Sequence, residues 1–395
     1  MAILSRAVRD SRYGAMRDMM GEMGLDAMAF LTPDYFFFAT NYFLDVAPWE
    51  RPVVVVVPRE GEPFAAMHEL STNHIRMAKE LESIWIDDIT LYSEHPRVTQ
   101  RTWLTPQWPQ MVARLLAQHG LGKARVGVDS AGGPMAQVPR LLSGVELVGM
   151  ERLMRRLRLV KHPEELDQLR KAAALSNWGQ ERYRENVRPG RYVQELDLAV
   201  SAIIAEEACR RHPGEQIEVR VSSGSGPSSA APHGDGLKTG ATIENGHGIV
   251  NIVIIRANGI VVENERTWFC GQPNDRQVEA FNVATAANEA AIQQLTTGNS
   301  LAAVDAAALS VIEKAGFGEH VIHRTGHGIG IAGHEFPDDM AFDPRPLMAN
   351  EIYSAEPGIY IYGLGGFRHD DTVIVGDKPE VVTTTPKDVE SQTVK

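Results

Sequence analysis

The stretch VVENERTWFCG, residues 261–271, carries Glu263 and Glu265 two positions apart in a run otherwise rich in Val, Thr, Trp and Phe. Strand side chains alternate in direction, so both carboxylates share one face. Like charges that close repel each other, and burying them requires compensation. Just upstream, Asn258-Gly259 is a two-residue hairpin signal joining this run to GIVNIVIIRA. Such a turn pairs Ala257 with Ile260, and therefore Ile254 with Glu263 and Ile252 with Glu265. Val253 and Asn264 fall on the opposite face. The face with both glutamates thus meets two isoleucines across the ladder, a poor place for free charges. Either partners arrive from elsewhere in the chain, or the face is a site.

Other ionisable words lie around this hairpin. VIHRTGHGIGIAGHEFP sets His323, His327 and His334 in a glycine-rich context, four and seven residues apart. YSAEPGIYI presents Glu356 directly before Pro-Gly, and GGFRHDDTVIV presents Arg368, His369, Asp370 and Asp371 at the start of a strand. Upstream, AAPHGDGLKTG offers His233 in a loop where glycines permit close approach to a ligand. Each word alone is a weak signal. Their fixed order carries the argument.

The elements that must position these residues fall into two regions. Residues up to about 150 alternate helix and strand, with RPVVVVVP reading as a buried strand between two prolines. A helix then starts at Pro163, where Glu164 and Glu165 complement the dipole of the first turn. A second helix covers VQELDLAVSAIIAEEACRR. From about residue 217 the pattern turns to strands; in IEVRVSSG, Val219 and Val221 point inward while Glu218 and Arg220 point outward. Helices over about 275–296 and 300–315 precede a strand-rich end.

At 395 residues with 43% hydrophobic content, the chain can build two domains. Its net charge of −12 argues against nucleic-acid or anionic-membrane partners, which need clustered Lys and Arg. Cys209 and Cys270 are too few for a disulfide framework, so a reducing cytoplasm is expected. The first twenty residues mix charge with apolar side chains and do not read as a signal peptide. No apolar run approaches the roughly 20 residues of a membrane span.

Read in order, PHG, ERT, HRTGHGIG with its trailing HE, EPGIY and GFRHDDT resemble the motif series of the creatinase/prolidase/methionine aminopeptidase family, the pita-bread fold. These words span residues 232–375, and RLRLVKHPEELDQLRKAA is similar to the usual start of that domain. The resemblance implies an α+β fold class: a pita-bread catalytic domain over residues 156–395 behind a smaller α/β domain of creatinase/prolidase type over 1–155. That N-terminal domain would cap the substrate and build a homodimer in which the neighbouring copy completes the site.

Peptidase members of the family hold two divalent metals on two Asp, one His and two Glu. Here the second Asp corresponds to Glu263, the His to His327, and the two Glu to Glu356 and Asp370. The first Asp falls at Ile252 by spacing or at Val253 by local wording, and no carboxylate occurs between Ile249 and Ile255. A dinuclear centre is therefore not expected. The implied cofactor is none, or one divalent metal ion on Glu263, His327, Glu356 and Asp370. Glu265 is similar to the glutamate of the creatinase ERT word, where no metal is needed and carboxylates bind a cationic group.

The favoured expectation is a hydrolase of the creatinase or ectoine hydrolase type, cleaving a C–N bond in a small cationic or zwitterionic solute. His233, Glu263, Glu265 and Glu356 would be its catalytic residues. His233 would relay the proton, and either Glu263 would orient water or Glu265 would attack as a nucleophile. His323, His327, His334 and Arg368 would contact substrate. The alternative is an Xaa-Pro dipeptidase or aminopeptidase using a single metal. A further alternative is a pita-bread binding module without chemistry.

Overall fold

The computed structural model describes residues 4–95, 102–234, 241–337 and 340–395. The chain divides into two compact units, Met1–Leu157 and Arg158–Lys395. Helix and strand mix in both, as an α+β class requires.

In the first unit, β1 (Ala27–Phe30), β2 (Val54–Pro58), β3 (Phe64–His68), β4 (Asp88–Tyr92), β5 (Arg125–Val128) and β6 (Glu146–Gly149) form one sheet in the order β4-β3-β2-β1-β5-β6. Strand β2 runs antiparallel to both neighbours, and the other pairings are parallel. Val54 and Val56 join a core with Trp108 and Leu116 of the helix Trp108–Gln118. Val55 and Val57, on the other face, are equally buried, where the helix Pro33–Thr40 packs on β1 and β2. A strand covered on both sides reads as a continuous valine run rather than an alternating one.

In the second unit, β7 (Ile217–Ser225), β8 (Gly248–Ala257), β9 (Ile260–Cys270), β10 (Ile352–Ala355) and β13 (Asp370–Ile374) lie in the order β10-β13-β9-β8-β7. Strands β11 (Gly358–Ile361) and β12 (Gly365–Arg368) make a separate antiparallel ribbon. Asn258 and Gly259 both take positive φ, 51° and 91°, as a type I′ hairpin turn needs. The resulting register is the expected one: Ala257 opposite Ile260, Ile254 opposite Glu263, Ile252 opposite Glu265.

One helix decides which sheet face is left for a site. Pro163–Asn186 packs on β8 and β9. Its Ser176 hydroxyl donates to the Val253 carbonyl at 3.2 Å, and the Trp268 indole donates to Gln180 at 3.1 Å. A Cβ at Gly179 would meet the Ile204 side-chain tip at 2.6 Å, so glycine lets the helix lie close without displacing Ile204. The Val253, Asn264 and Trp268 side is therefore filled by helix. Ile252, Ile254, Glu263 and Glu265 are left for the other side.

Candidate active site

The loop after the helix Leu301–Lys314 brings His327 to the glutamate face. It hangs on β10: the His327 amide donates to the Ser354 hydroxyl at 3.1 Å, and the Ser354 amide returns to the His327 carbonyl at 2.9 Å. A Cβ at Gly326 would collide with the Ser354 carbonyl, which explains the glycine before His327. Imidazole Nδ1 lies 3.0 Å from the Gly328 carbonyl, so it carries a proton and leaves Nε2 facing the acids. Nε2 is 3.4 Å from Glu263 and 3.3 Å from Glu356. Glu335, the acid of the HE word, accepts from the Ile331 and Ala332 amides at 2.8 and 3.2 Å and pairs with Arg158 and Lys161. It fixes the far end of the same loop.

Strand alternation sorts the RHDD word. On β13, Asp370 sits opposite Glu265 and turns to the site, while Asp371 sits opposite Asn264 and turns away. Asp371 pairs with buried Arg266 at 2.7 Å and with Lys387 at 2.7 Å, a structural ion cluster behind the sheet. His369 also leaves the site, with Nε2 3.1 Å from the Thr285 hydroxyl.

The electrostatics follow from burial and pairing. Burial disfavours charge on His327, but hydrogen bonds to Glu263 and Glu356 outweigh it and push its pKa up to about 10. Burial also works against ionised Glu356, yet His327 and Arg368 hold it down at about 2. Burial pushes Glu265 up to about 7 against the pull of Arg368. Asp370 is raised furthest, by burial and then by Glu356, Glu263 and Glu265 around it. Both of its carboxylate oxygens are buried without a hydrogen-bond partner among the described residues.

The cavity over this cluster measures about 500 Å³ and is walled by His233, Ile252, Ile254, Glu263, Glu265 and Glu356, with His327, His334 and Arg368 also facing it. His233 is exposed on that wall. His334 stacks on His327 with ring centroids 3.7 Å apart. Two expected substrate contacts differ in placement. His323 does not line the cavity; its Nε2 lies 2.7 Å from the Tyr360 hydroxyl. Arg368, expected to meet a substrate carboxylate, forms a bidentate pair with Glu265 and donates to Tyr360 at 2.9 Å. Strand β12 delivers Arg368 next to Glu265, and its side chain still borders the cavity.

Those pairings answer the question raised by Glu263 and Glu265. Their partners are the chain's own His327 and Arg368, so a cationic substrate is not required to neutralise them. The sequence reading missed Tyr360, although it stands in the quoted EPGIY word and two-residue alternation from Gly358 turns it toward Arg368. Arg220 points outward as the alternation predicts, and the open face it reaches is this cavity.

The donor set suits a divalent cation. Ligand atoms of Glu265, Glu356 and Asp370 lie within 4.8 Å of one another, and so do those of Glu263, His327 and His334. The bare carboxylate of Asp370 marks where positive charge is lacking. The four donors expected from the sequence are thus divided: Glu263 and His327 gather with His334, and Glu356 and Asp370 gather with Glu265.

The fold and this acid–histidine cluster define a pita-bread protein with a leading α/β unit. The sequence profile of metallopeptidase family M24 matches residues 167–377, and that of the creatinase/prolidase N-terminal domain matches residues 12–160. The chain belongs to metallopeptidase family M24. It is 29% identical to an Xaa-Pro dipeptidase of Lactobacillus helveticus over 91% of this chain and 92% of that one. It is 36% identical to a protein named "Probable dipeptidase PepE" of Mycobacterium tuberculosis over 56% of this chain and 58% of that one. The crystal structure of dipeptidase PepE from Mycobacterium ulcerans superimposes with a TM-score of 0.81 at 26% identity, covering 99% of each chain. Among the described residues, no helix is long and apolar enough to cross a membrane.

Proposed function

We propose that the chain hydrolyses the C–N bond of a dipeptide, in the manner of an Xaa-Pro dipeptidase, and that it does so with one divalent cation rather than two. The observation that carries this reading is the Asp370 carboxylate, buried beside Glu263, Glu265 and Glu356 with no hydrogen-bond partner among the described residues. Among the described residues, Arg368 pairs with Glu265 and His327 lies between Glu263 and Glu356. His327 binds an ion only as the neutral imidazole, so uptake of an ion displaces the Nε2 proton now shared with Glu263 and Glu356. The apolar Ile252, beside Glu265 on the ladder, stands where a further acid would be needed for a second ion. Likeness to a named Xaa-Pro dipeptidase supports the substrate class.

Such an ion, when bound, supplies Lewis acidity toward the scissile carbonyl and acidifies water. The chain's residues do the rest. Ile252 and Ile254 give an apolar floor suited to a prolyl ring. Tyr360, steadied by His323, holds Arg368, and Arg368 holds Glu265 in one orientation. His233 on the cavity wall is the group to pass a proton to the leaving nitrogen. His334, kept neutral by burial and by charged His327, can accept a hydrogen bond from substrate.

The test is a substrate panel of Xaa-Pro dipeptides, dipeptides without proline, creatine and a cyclic amidine, assayed with and without chelator. Xaa-Pro cleavage that disappears with chelator and returns with a divalent metal is expected. Turnover of creatine or the amidine in chelator, with Xaa-Pro dipeptides untouched, would overturn the reading.

A further inference from the structure

We infer that Arg220 is the anchor for a substrate carboxylate, and that it sets the polarity with which substrate lies in the cavity. The inference rests on the dipeptidase reading for its substrate and on the sheet for its geometry. Strand β7 pairs with β8 so that Arg220 faces Ile254, and Ile254 in turn faces Glu263. The next row in register is Ser222, Ile252 and Glu265. Both rows point into the cavity. Adjacent strands lie about 4.8 Å apart, so Arg220 and Glu263 are on the order of 10 Å apart along the sheet.

Arg220 is exposed and makes no hydrogen bond or ion pair among the described residues. The other arginines lining the cavity are committed. Arg368 holds Glu265, and Arg256 donates to the Ile331 carbonyl at 2.5 Å and lies 3.5 Å from Glu218. One guanidinium is therefore left open, and it stands on the row of the catalytic acids with an isoleucine between. Acid cluster, apolar strip and free cation follow one another across three strands.

An extended dipeptide has the matching order. Its scissile carbonyl belongs at the acid cluster and its second side chain over Ile252 and Ile254. Its carboxylate falls one residue, about 3.8 Å, further on. The flexible arginine side chain covers the remaining gap, and a planar guanidinium binds carboxylate through two parallel hydrogen bonds. The same chemistry would serve an acidic side chain on the second residue, so the experiment separates the two sources.

Binding of N-acetylproline and N-acetylprolinamide to the intact protein, and to its Arg220→Ala and Arg220→Lys variants, is measured by titration calorimetry. Kinetics on Ala-Pro against Ala-Pro-amide and on Ala-Asp against Ala-Asn complete the set. The native protein is expected to prefer acid over amide by about tenfold to a hundredfold. Arg220→Ala should lose that preference, Arg220→Lys should keep part of it, and the kinetic loss should fall on KM. Preference confined to Ala-Asp over Ala-Asn assigns the bound carboxylate to the side chain. Acid preference that survives in Arg220→Ala, or is missing from every acid–amide pair in the native protein, overturns the inference. The calorimetry needs no turnover, so a protein that prefers acid yet cleaves no dipeptide would sink the proposed activity and leave Arg220's role standing.

Discussion

Arg368 and Glu265 meet as a bidentate pair inside the site, both nearly sealed from solvent, with the Tyr360 hydroxyl 2.9 Å from the free edge of the guanidinium. Breaking a buried pair from one side leaves an uncompensated charge. Arg368→Met should therefore destabilise the protein by about 3–5 kcal/mol. The double variant Arg368→Met with Glu265→Gln should recover much of that loss. Denaturant unfolding of the single and double variants measures the coupling; strictly additive effects would show that the pair contributes nothing as a pair.

Much of this arrangement was legible in the sequence because it rests on alternation and one turn. Asn258-Gly259 fixes the register, and the register puts both glutamates against two isoleucines. The same alternation separates Asp370 from Asp371 and Gly358-Tyr360 from Ile359. What the sequence could not show was pairing across loops. Arg368 belongs to Glu265 because a ribbon of two short strands ends beside β9, and nothing local in GGFRHDD encodes that approach. Arg220 faces outward as read, but a strand at the end of a sheet shows charges on the face it leaves open, and the sequence does not say that this opening is a cavity.

The dipeptidase reading gives Glu265 a positional role. With Arg368 already on its carboxylate, Glu265→Gln keeps the shape and removes one charge from the cluster. Turnover of an Xaa-Pro dipeptide should fall by about 10- to 100-fold, as for residues that orient a metal's ligands. Steady-state kinetics on a folded variant would decide. Complete loss at every pH would instead mark Glu265 as a reacting group.

Metal stoichiometry tests the single-ion reading directly. Elemental analysis of the purified protein should find one divalent ion per chain, and Asp370→Asn should lose it because that carboxylate has no other partner among the described residues. Ile252→Asp places an acid beside Glu265 on the same face. That variant should bind a second ion when supplied with excess metal, read as metal per chain and as a metal-dependent rise in Tm. Two ions already present in the native protein would end the single-metal reading.

Glu335 supplies a pH test that does not depend on the chemistry. Its buried carboxylate resists ionisation through burial alone, but Arg158, Lys161 and the Ala332 amide overcome this and hold its pKa at about 2. An unfolded glutamate titrates near about 4.3. The folded value is the lower one, so the stabilisation is complete above about pH 4.3 and is lost as pH falls toward 2. The shift corresponds to about 3 kcal/mol. Other depressed acids, Asp371 among them, titrate in the same acidic range, so the informative quantity is a difference. Native protein and Glu335→Gln should differ in unfolding free energy at pH 7, and that gap should close by about pH 2. Because Glu335 holds the backbone of residues 331 and 332, the variant should also loosen the loop carrying His327 and His334. Faster amide exchange there at neutral pH would follow. A gap that stays constant from pH 7 to pH 2 would mean that Glu335 acts through shape and not through charge.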